Sequence, residues 1–422
     1  MSHQPRKPNR TSGRSMSLRR AATKVVTDLQ QAGHVAYWAG GCVRDEVLGL
    51  EPSDYDVATD ARPEQVRQLF PRSRAVGESF GVVLVNLARH RIEVATFRTE
   101  WGYSDHRRPD GVTFSDAQHD AQRRDFTING LFKDPVTNKV IDYVGGIDDL
   151  NAGIIRAIGE PRKRLEEDHL RALRAVRFAA RFGYDIDPET AQEIRRTAAA
   201  LSGVSRERIG LELEQMLTDM TRADAVCWMQ QLALDAPVLT EPTNARTPTT
   251  LASLGEHRVA FGVALAAWAL DRGVADDPQL DRRWRAAMKL SNHHQRLLGA
   301  ILRDLPVLQS HWPNLAVPAR KRLAAQSHFR HTLQLLTAVN SRQAGAISRD
   351  IKMLAAHAGG LAPTPLLDGK ALIEMGMMPG PDFKQILDAV YDAQLDGEVT
   401  DAQQALSLAR HLTGLSDDKS NQ

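Results

Sequence analysis

The stretch that decides the fold reads Val35-Ala36-Tyr37-Trp38-Ala39-Gly40-Gly41-Cys42-Val43-Arg44-Asp45, followed nine residues on by Asp54-Tyr55-Asp56-Val57-Ala58. Val35 to Ala39 is a short apolar run that predicts a strand, and the two glycines after it predict a tight turn. Gly-Gly lets the backbone approach a phosphate closely, and the helix start that follows offers free N–H groups to an anion. Arg44 stands one short step further on, placed to clamp a triphosphate. Tyr55 to Ala58 predicts a second strand. Residues i and i+2 of a strand share a face, so Asp54 and Asp56 project side by side. Two such carboxylates raise each other's pKa unless a cation lies between them. Hard oxygen donors in that arrangement suit Mg²⁺, which a few carboxylates hold together with substrate phosphates. Taken alone, Asp-x-Asp fits a solvated turn and Gly-Gly a plain turn. Their combination points to phosphate and metal.

Working outward, Ala21 to Gln31 has helical spacing. Asp60 reads as an N-cap, with Pro63 opening a helix that runs to Phe70. Val82 to Leu87 and Ile92 to Phe97 are β-branched runs separated by Ala88-Arg89-His90-Arg91, which predicts an antiparallel hairpin. Glu93 alternates with Ile92 and Val94 and so faces away from them. On pattern alone it is a solvent-facing residue of a half-exposed strand. The polar stretch between Gly102 and Phe114, with Pro109 and Gly111, reads as a flexible loop. After about Leu150 strand signals fade and helical patterns dominate, with breaks at Gly183, at Pro237 to Pro248 and at Gly359 to Pro365. The expected fold class is α+β: one mixed domain, then a long helical remainder.

Composition narrows the function classes. The chain has 422 residues, of which 42% are apolar and 25% charged, so it can build a real core. No run approaches the roughly 18 apolar residues of a membrane span. Two cysteines, Cys42 and Cys227, exclude a disulfide framework or Cys-rich zinc site and fit a reducing, cytoplasmic setting. The 54 basic and 52 acidic residues nearly cancel, so any nucleic-acid surface must come from local clustering. Residues 156 to 208 are such a place, with twelve Arg or Lys against nine acids. No Gly-Lys-Ser/Thr loop exists, which argues against a P-loop ATPase. Residues 1 to 20 carry six Arg or Lys and no acid, and read as a solvated tail; an RNA-binding arm or a transit peptide has the same composition. His293-His294 and the pair His328 and His331 lack a carboxylate or Cys pattern nearby and read as surface or core histidines.

Leu170, Leu173, Val176 and Ala180 form an apolar stripe at helical spacing. Asp168, Arg171, Arg174 and Arg177 recur every three residues on the same predicted helix. Without other motifs this row is an ordinary ion-pair ladder. The motifs are there, however. Gly40-Gly41-Cys42-Val43-Arg44-Asp45, Asp54-x-Asp56, Arg123-Arg124-Asp125-Phe126-Thr127-Ile128-Asn129 and Glu167-Asp168-x-x-Arg171 together resemble the class II tRNA nucleotidyltransferase and bacterial poly(A) polymerase family. The resemblance covers roughly residues 25 to 215, and more loosely Leu367 to Arg410.

The resemblance implies a polymerase-β-like nucleotidyltransferase head at 21–150, a neck at 151–215, a body at 216–360 and a tRNA-binding tail at 361–422, the last three all-helical, after a basic disordered tail at 1–20. It implies that Asp54 and Asp56 bind catalytic Mg²⁺, with Glu93 as a third catalytic carboxylate. Gly41, Arg44 and Arg124 would contact the incoming nucleotide. Asp168, Arg171, Arg174 and Arg177 would line the nucleotide site from the neck. The implied activity is addition of CMP and AMP from CTP and ATP to the 3′ end of tRNA. The rivals are poly(A) synthesis and A-only or CC-only addition. In such enzymes a loop at the position of Tyr103 to Gly111 helps the switch from C to A. Neither a membrane nor a protein partner is expected. The chemistry is coherent: Asp168 can accept from the amino group of cytosine or adenine while Arg171 donates to a ring acceptor. Uracil or guanine would leave buried polar groups unpaired, at about 1–3 kcal/mol each.

Overall fold

Ser17 caps the first described helix: its hydroxyl accepts from the N–H of Arg20 at the start of α1 (Leu18–Gln31). Leu18 to Arg20 are therefore helical rather than part of a tail. The computed structural model describes residues 16–76, 81–103, 109–357 and 359–413; the rest of the expected basic tail, residues 1–15, lies outside them. The elements that follow are β1 (Ala36–Ala39), α2 (Gly41–Val47), β2 (Asp56–Thr59), α3 (Pro63–Leu69), β3 (Ser73–Ala75), β4 (Val82–Leu87) and β5 (His90–Thr96). Then come β6 (Arg98–Trp101), β7 (Gly111–Phe114), α4 (Ala117–Gln122), β8 (Phe132–Asp134) and β9 (Lys139–Ile141).

Seven of these strands form one sheet in the order β3-β4-β5-β2-β1-β8-β9. Only β2 and β5 run parallel; the other neighbours are antiparallel. Strict alternation gives the sheet two faces. On the back, Trp38, Val57, Val83, Val85, Ile92 and Val94 are fully buried; the apolar side of α1, from Ala22 to Leu29, covers β1, β2 and β5, and α3 packs on β4. Each such large side chain contributes about 1.5–3 kcal/mol on burial. On the front, Ala39, Ala58, Phe97 and Phe132 pack beneath Ala117 and Ala121 of α4. The helix covers only part of this face. The remainder, including Asp56 and Glu93, stays open.

Three expectations need correction here. Asp60 is not an N-cap. Its Oδ1 accepts from the N–H of Val35 at 2.9 Å, tying β1 to the end of β2, and Arg62 precedes α3 instead. The β4–β5 connection is two residues long, not four: Ala88 and Arg89 both take positive φ (49° and 73°), the turn geometry that matches strand twist. Part of the supposed flexible loop is a strand, since Gly111–Phe114 pairs antiparallel with Arg98–Trp101. Residues 104–108 lie outside the described ones.

After α5 (Gly146–Ala152) and β10 (Ile154–Ile155) the chain turns helical: α6 (Pro161–Glu167), α7 (Arg171–Phe182), then, after β11 (Asp185–Ile186), α8 (Pro188–Thr197) and α9 (Arg206–Thr218). β10 and β11 form a short parallel pair. The predicted apolar stripe of α7 is buried, with Leu170, Leu173, Val176 and Ala180 all 5% exposed or less. Gly183 ends the helix in the left-handed conformation, φ +65°.

The chain divides into two compact units. One holds residues up to Glu212 together with Trp228–Thr243; the other holds Leu213–Cys227 and Asn244 onward. The second is helical. Helix Phe261–Arg272 is buried along nearly its whole length, and Trp268 packs on Trp284 at 5.6 Å. A separate cluster of Leu367, Leu372, Ile386, Val390, Ala405 and neighbours closes its C-terminal part. Among the described residues, no helix is long and apolar enough to cross a membrane.

Candidate active site

Strand β1 ends at Gly40, whose φ of +71° belongs to the left-handed region. A Cβ there would also stand 2.7 Å from Nη1 of Arg124, so that guanidinium would have to shift. Gly41, by contrast, would place a Cβ at an ordinary 3.6 Å from Arg44. The glycine that geometry demands is therefore the first of the pair. It turns the chain into α2, whose Cys42 to Asp45 are buried.

Asp54 precedes β2 and Asp56 opens it; both are exposed, while Tyr55 between them is buried. The expected alternation holds, although only Asp56 is in the strand proper. Tyr55 is pinned on the opposite side. Its OH donates to Oε1 of Glu46 at 2.8 Å, and that carboxylate also accepts from Nε of Arg19 and Nζ of Lys133, both at 2.8 Å. Trp38 meets the Tyr55 ring edge-on at 4.7 Å.

Glu93 sits directly opposite Asp56 in the parallel β2–β5 register. It faces the same side, with Ile92 and Val94 buried behind. Asp54, Asp56 and Glu93 all line one open pocket of about 710 Å³ on the front of the sheet. Asp56 is reached by solvent there, yet the surrounding protein, followed by the Glu93 and Asp54 carboxylates, pushes its pKa up to about 6. Arg124 opposes that rise.

The far wall of the pocket is rich in arginine, and each guanidinium is held. Arg44 is 4% exposed, donates to Asp45 at 2.6 and 2.8 Å and to Asn129 at 2.5 Å, and lies over the rings of Phe178 and Phe182. Burial lowers its pKa. Its fork is thus engaged within the wall instead of being free to clamp a ligand. Arg124 donates to Asp120 at 3.0 Å and to the carbonyl of Asn129 at 3.2 Å, above the Phe132 ring. Arg174 grips Oδ2 of Asp125 at 2.7 and 2.9 Å. Burial would raise the Asp125 carboxyl, but Arg174 and the Asn129 amide hold it well below the usual carboxylate range. Arg177 donates to Glu212 at 2.7 Å.

The expected row of four on one helix is corrected at its first member. Asp168 lies before α7 in an extended conformation, φ −152°. Its Oδ1 accepts from the N–H of Leu170, the side-chain turn by which Asp competes with helix. Arg171 opens α7 and donates to the carboxylate of Glu167 and, at 2.6 Å, to the carbonyl of Arg164. Asp168 is held by a residue the spacing never suggested. Arg208 of α9 makes a two-pronged pair with it, Nη1 to Oδ1 at 3.1 Å and Nη2 to Oδ2 at 2.6 Å. Asp168, Arg171, Arg174, Arg177 and Arg208 all line the pocket. At the root of the 103–111 segment, Tyr103 donates to Glu100 at 2.5 Å, which also holds Arg98 and Arg123.

The residues fit a divalent cation through the chemistry of their donors: hard carboxylate oxygens whose mutual repulsion a positive charge would relieve. Among the described residues no three acidic, His or Cys side chains converge closely enough to hold an ion by themselves, so phosphate oxygens would complete its shell. The histidines of the second unit form no such group either. They do have acidic neighbours, contrary to expectation: His328 meets Asp304 at 2.6 Å and His294 meets Glu214 at 3.6 Å.

Comparison with known proteins identifies the family. Residues 36–156 match the poly A polymerase head domain, and residues 183–242 match the probable RNA and SrmB-binding site of polymerase A. The CCA-adding enzyme of Limosilactobacillus fermentum is 33% identical over 396 residues, covering 91% of this chain and 94% of that one. The CCA-adding enzyme of Geobacillus stearothermophilus is also 33% identical, over 90% and 93% of the two chains. The crystal structure of the Bacillus stearothermophilus CCA-adding enzyme in complex with CTP superposes with a TM-score of 0.79 at 29% identity, covering 93% of this chain and 97% of that one.

Proposed function

The chain belongs to the family of CCA-adding enzymes, and from that premise we propose that Asp54 and Asp56 are the carboxylates at which it joins nucleotides to RNA. The protein is a CCA tRNA nucleotidyltransferase, which adds CMP and AMP from CTP and ATP to the 3′ end of tRNA. The observation that carries the residue assignment is the placement of Asp54, Asp56 and Glu93 in one pocket whose opposite wall is lined by arginines.

Such enzymes work with a divalent metal, which we assign as Mg²⁺ held by Asp54 and Asp56, with Glu93 as the third catalytic carboxylate. When bound it supplies positive charge to the phosphates and lowers the pKa of the attacking hydroxyl. The chain's own residues do the rest. The Gly40-Gly41 turn brings backbone close to the triphosphate, beside Arg124. Arg44, fixed by Asp45 and Asn129, contributes its charge from within the wall. Arg174 and Arg177 add positive charge along α7.

Base choice falls to Asp168 and Arg171. Cytosine and adenine each present an amino donor, which the Asp168 carboxylate accepts. Arg208 holds that carboxylate in place while Leu170 N–H fixes its inner oxygen. The division into head (21–150), neck (151–215), body (216–360) and tail (361–422) is the organisation we propose, with the tail binding tRNA and the protein acting in the cytoplasm.

The test is incubation with Mg²⁺ and a tRNA lacking its CCA end, supplying CTP, ATP or both, and sequencing the products. Three-nucleotide CCA ends are expected with both. Long A tails from ATP alone would establish poly(A) synthesis and overturn the reading of Asp168.

A further inference from the structure

We propose that Arg74 and Arg91, on the uncovered end of the front face, seat the phosphodiester backbone of the acceptor strand behind its reactive 3′-hydroxyl. The proposal rests on the reading of Asp54, Asp56 and Glu93 as the reaction centre. It begins from strand register. Arg74 pairs with Leu84, Leu84 with Glu93, and Glu93 with Asp56. A single row across four strands thus leads from the catalytic carboxylates to Arg74 at the sheet edge. Paired residues share a face, so Arg74 projects on the same side as Asp56. Arg91 precedes Glu93 by two residues on β5 and shares that face as well.

Spacing sets the reach. Strands lie about 4.8 Å apart, so Arg74 stands roughly 10 Å from Glu93. Two residues along a strand place Arg91 about 7 Å from Glu93. Arginine side chains can span much of those intervals, which brings both heads near a strand ending at the carboxylates.

Charge separates these two from every arginine of the nucleotide wall. Arg44, Arg124, Arg171, Arg174, Arg177 and Arg208 each hold a carboxylate. Arg74 and Arg91 are exposed and have no acidic partner among the described residues. Unpaired guanidiniums beside a cluster of carboxylates suit a polyanion that must approach that cluster.

The direction of the reaction selects which polyanion. In phosphoryl transfer the attacking and leaving oxygens lie roughly in line on opposite sides of phosphorus. The triphosphate is assigned to the side of β1, α2 and α7, where the paired arginines stand. The hydroxyl must then arrive from the other side of Asp56, across β5 and β4. Arg91 and Arg74 lie along that approach, with Asn86 opposite Arg91 in the register as a neutral hydrogen-bonding neighbour.

The experiment uses the full chain and an acceptor-stem minihelix lacking CCA, with R74A, R91A and the double variant. Minihelix affinity is measured by filter retention over a range of salt, alongside KM for CTP and the melting midpoint. The double variant is expected to melt like wild type, bind the minihelix roughly tenfold more weakly and keep its KM for CTP. Its slope of log affinity against log salt should flatten by about one for each arginine removed. Unchanged affinity and slope in the folded double variant would overturn the proposal, as would a rise in CTP KM matching the loss of minihelix affinity. Wild type assayed in parallel keeps the two readings apart: failure to extend the minihelix would count against the carboxylate centre itself, whereas normal extension with indifferent variants would remove only the acceptor track.

Discussion

Replacing Arg208 by Ala tests whether base selection depends on how Asp168 is held. The guanidinium makes two charged hydrogen bonds to that carboxylate, at 3.1 and 2.6 Å, with side-chain exposures of 20% and 15%. Hydrogen bonds to charged groups contribute about 1.5–3 kcal/mol, and partial exposure argues for the lower end, about 1.5 kcal/mol. After the substitution Asp168 keeps only the Leu170 N–H, at 3.1 Å, and is free to rotate away from a bound base. A loss of about 1.4 kcal/mol in discrimination is tenfold in kcat/KM. Arg208→Ala is therefore expected to lower the preference for CTP over UTP by roughly tenfold, with Arg208→Lys intermediate because a point charge cannot make the fork. The assay is single-turnover addition to a tRNA lacking CCA, with CTP and UTP compared, and Asp168→Ala run beside it. If Arg208→Ala stays folded and discriminates like wild type while Asp168→Ala does not, the fork plays no part in selection.

Two other perturbations probe the pocket. Gly40→Ala forces a side chain into a positive-φ conformation (φ +71°, ψ −126°) outside the left-handed helical well, at about 1–3 kcal/mol, and brings a methyl to 2.7 Å from the Arg124 guanidinium; a lower melting midpoint together with a raised KM for CTP is expected, and an unchanged midpoint and KM would contradict the role given to the turn. In the metal-free chain burial and the neighbouring Glu93 and Asp54 carboxylates push the Asp56 carboxyl up to about 6, from the ordinary 3.8, so the folded state holds the proton more tightly. Stability should then fall as pH rises from about 4 to about 6, and Asp56→Asn should be the more stable protein at pH 7–8, with the gap closing below about 4; thermal melts across that range decide it.

How much of this was legible in the sequence follows from the range of the interactions. Local signals read correctly. Tyr55 is buried between two exposed aspartates because a strand alternates, and the α7 stripe is buried because a helix repeats. Glu93 was ambiguous, since its face is decided by the parallel pairing of β5 with β2, strands separated in sequence by an intervening helix and two more strands. Arg208 was invisible because it meets Asp168 across forty residues, and nothing in either neighbourhood signals the other. A carboxylate near a helix start suits a cap, but Asp60 accepts from the N–H of Val35 instead, a partner 25 residues away that the local pattern does not signal. The spacing of three puts Asp168 on the helix, but an Asp that bonds the N–H two residues on stops the helix from starting there.

The most direct test of the central claim is to replace Asp54 and Asp56 singly by Asn, and to measure nucleotide transfer to a tRNA lacking CCA alongside tRNA retention and melting. Both side chains are exposed in the pocket, so the fold should survive. Each variant is expected to bind tRNA like wild type and to transfer neither CMP nor AMP. Transfer at the wild-type rate by either folded variant would contradict that claim.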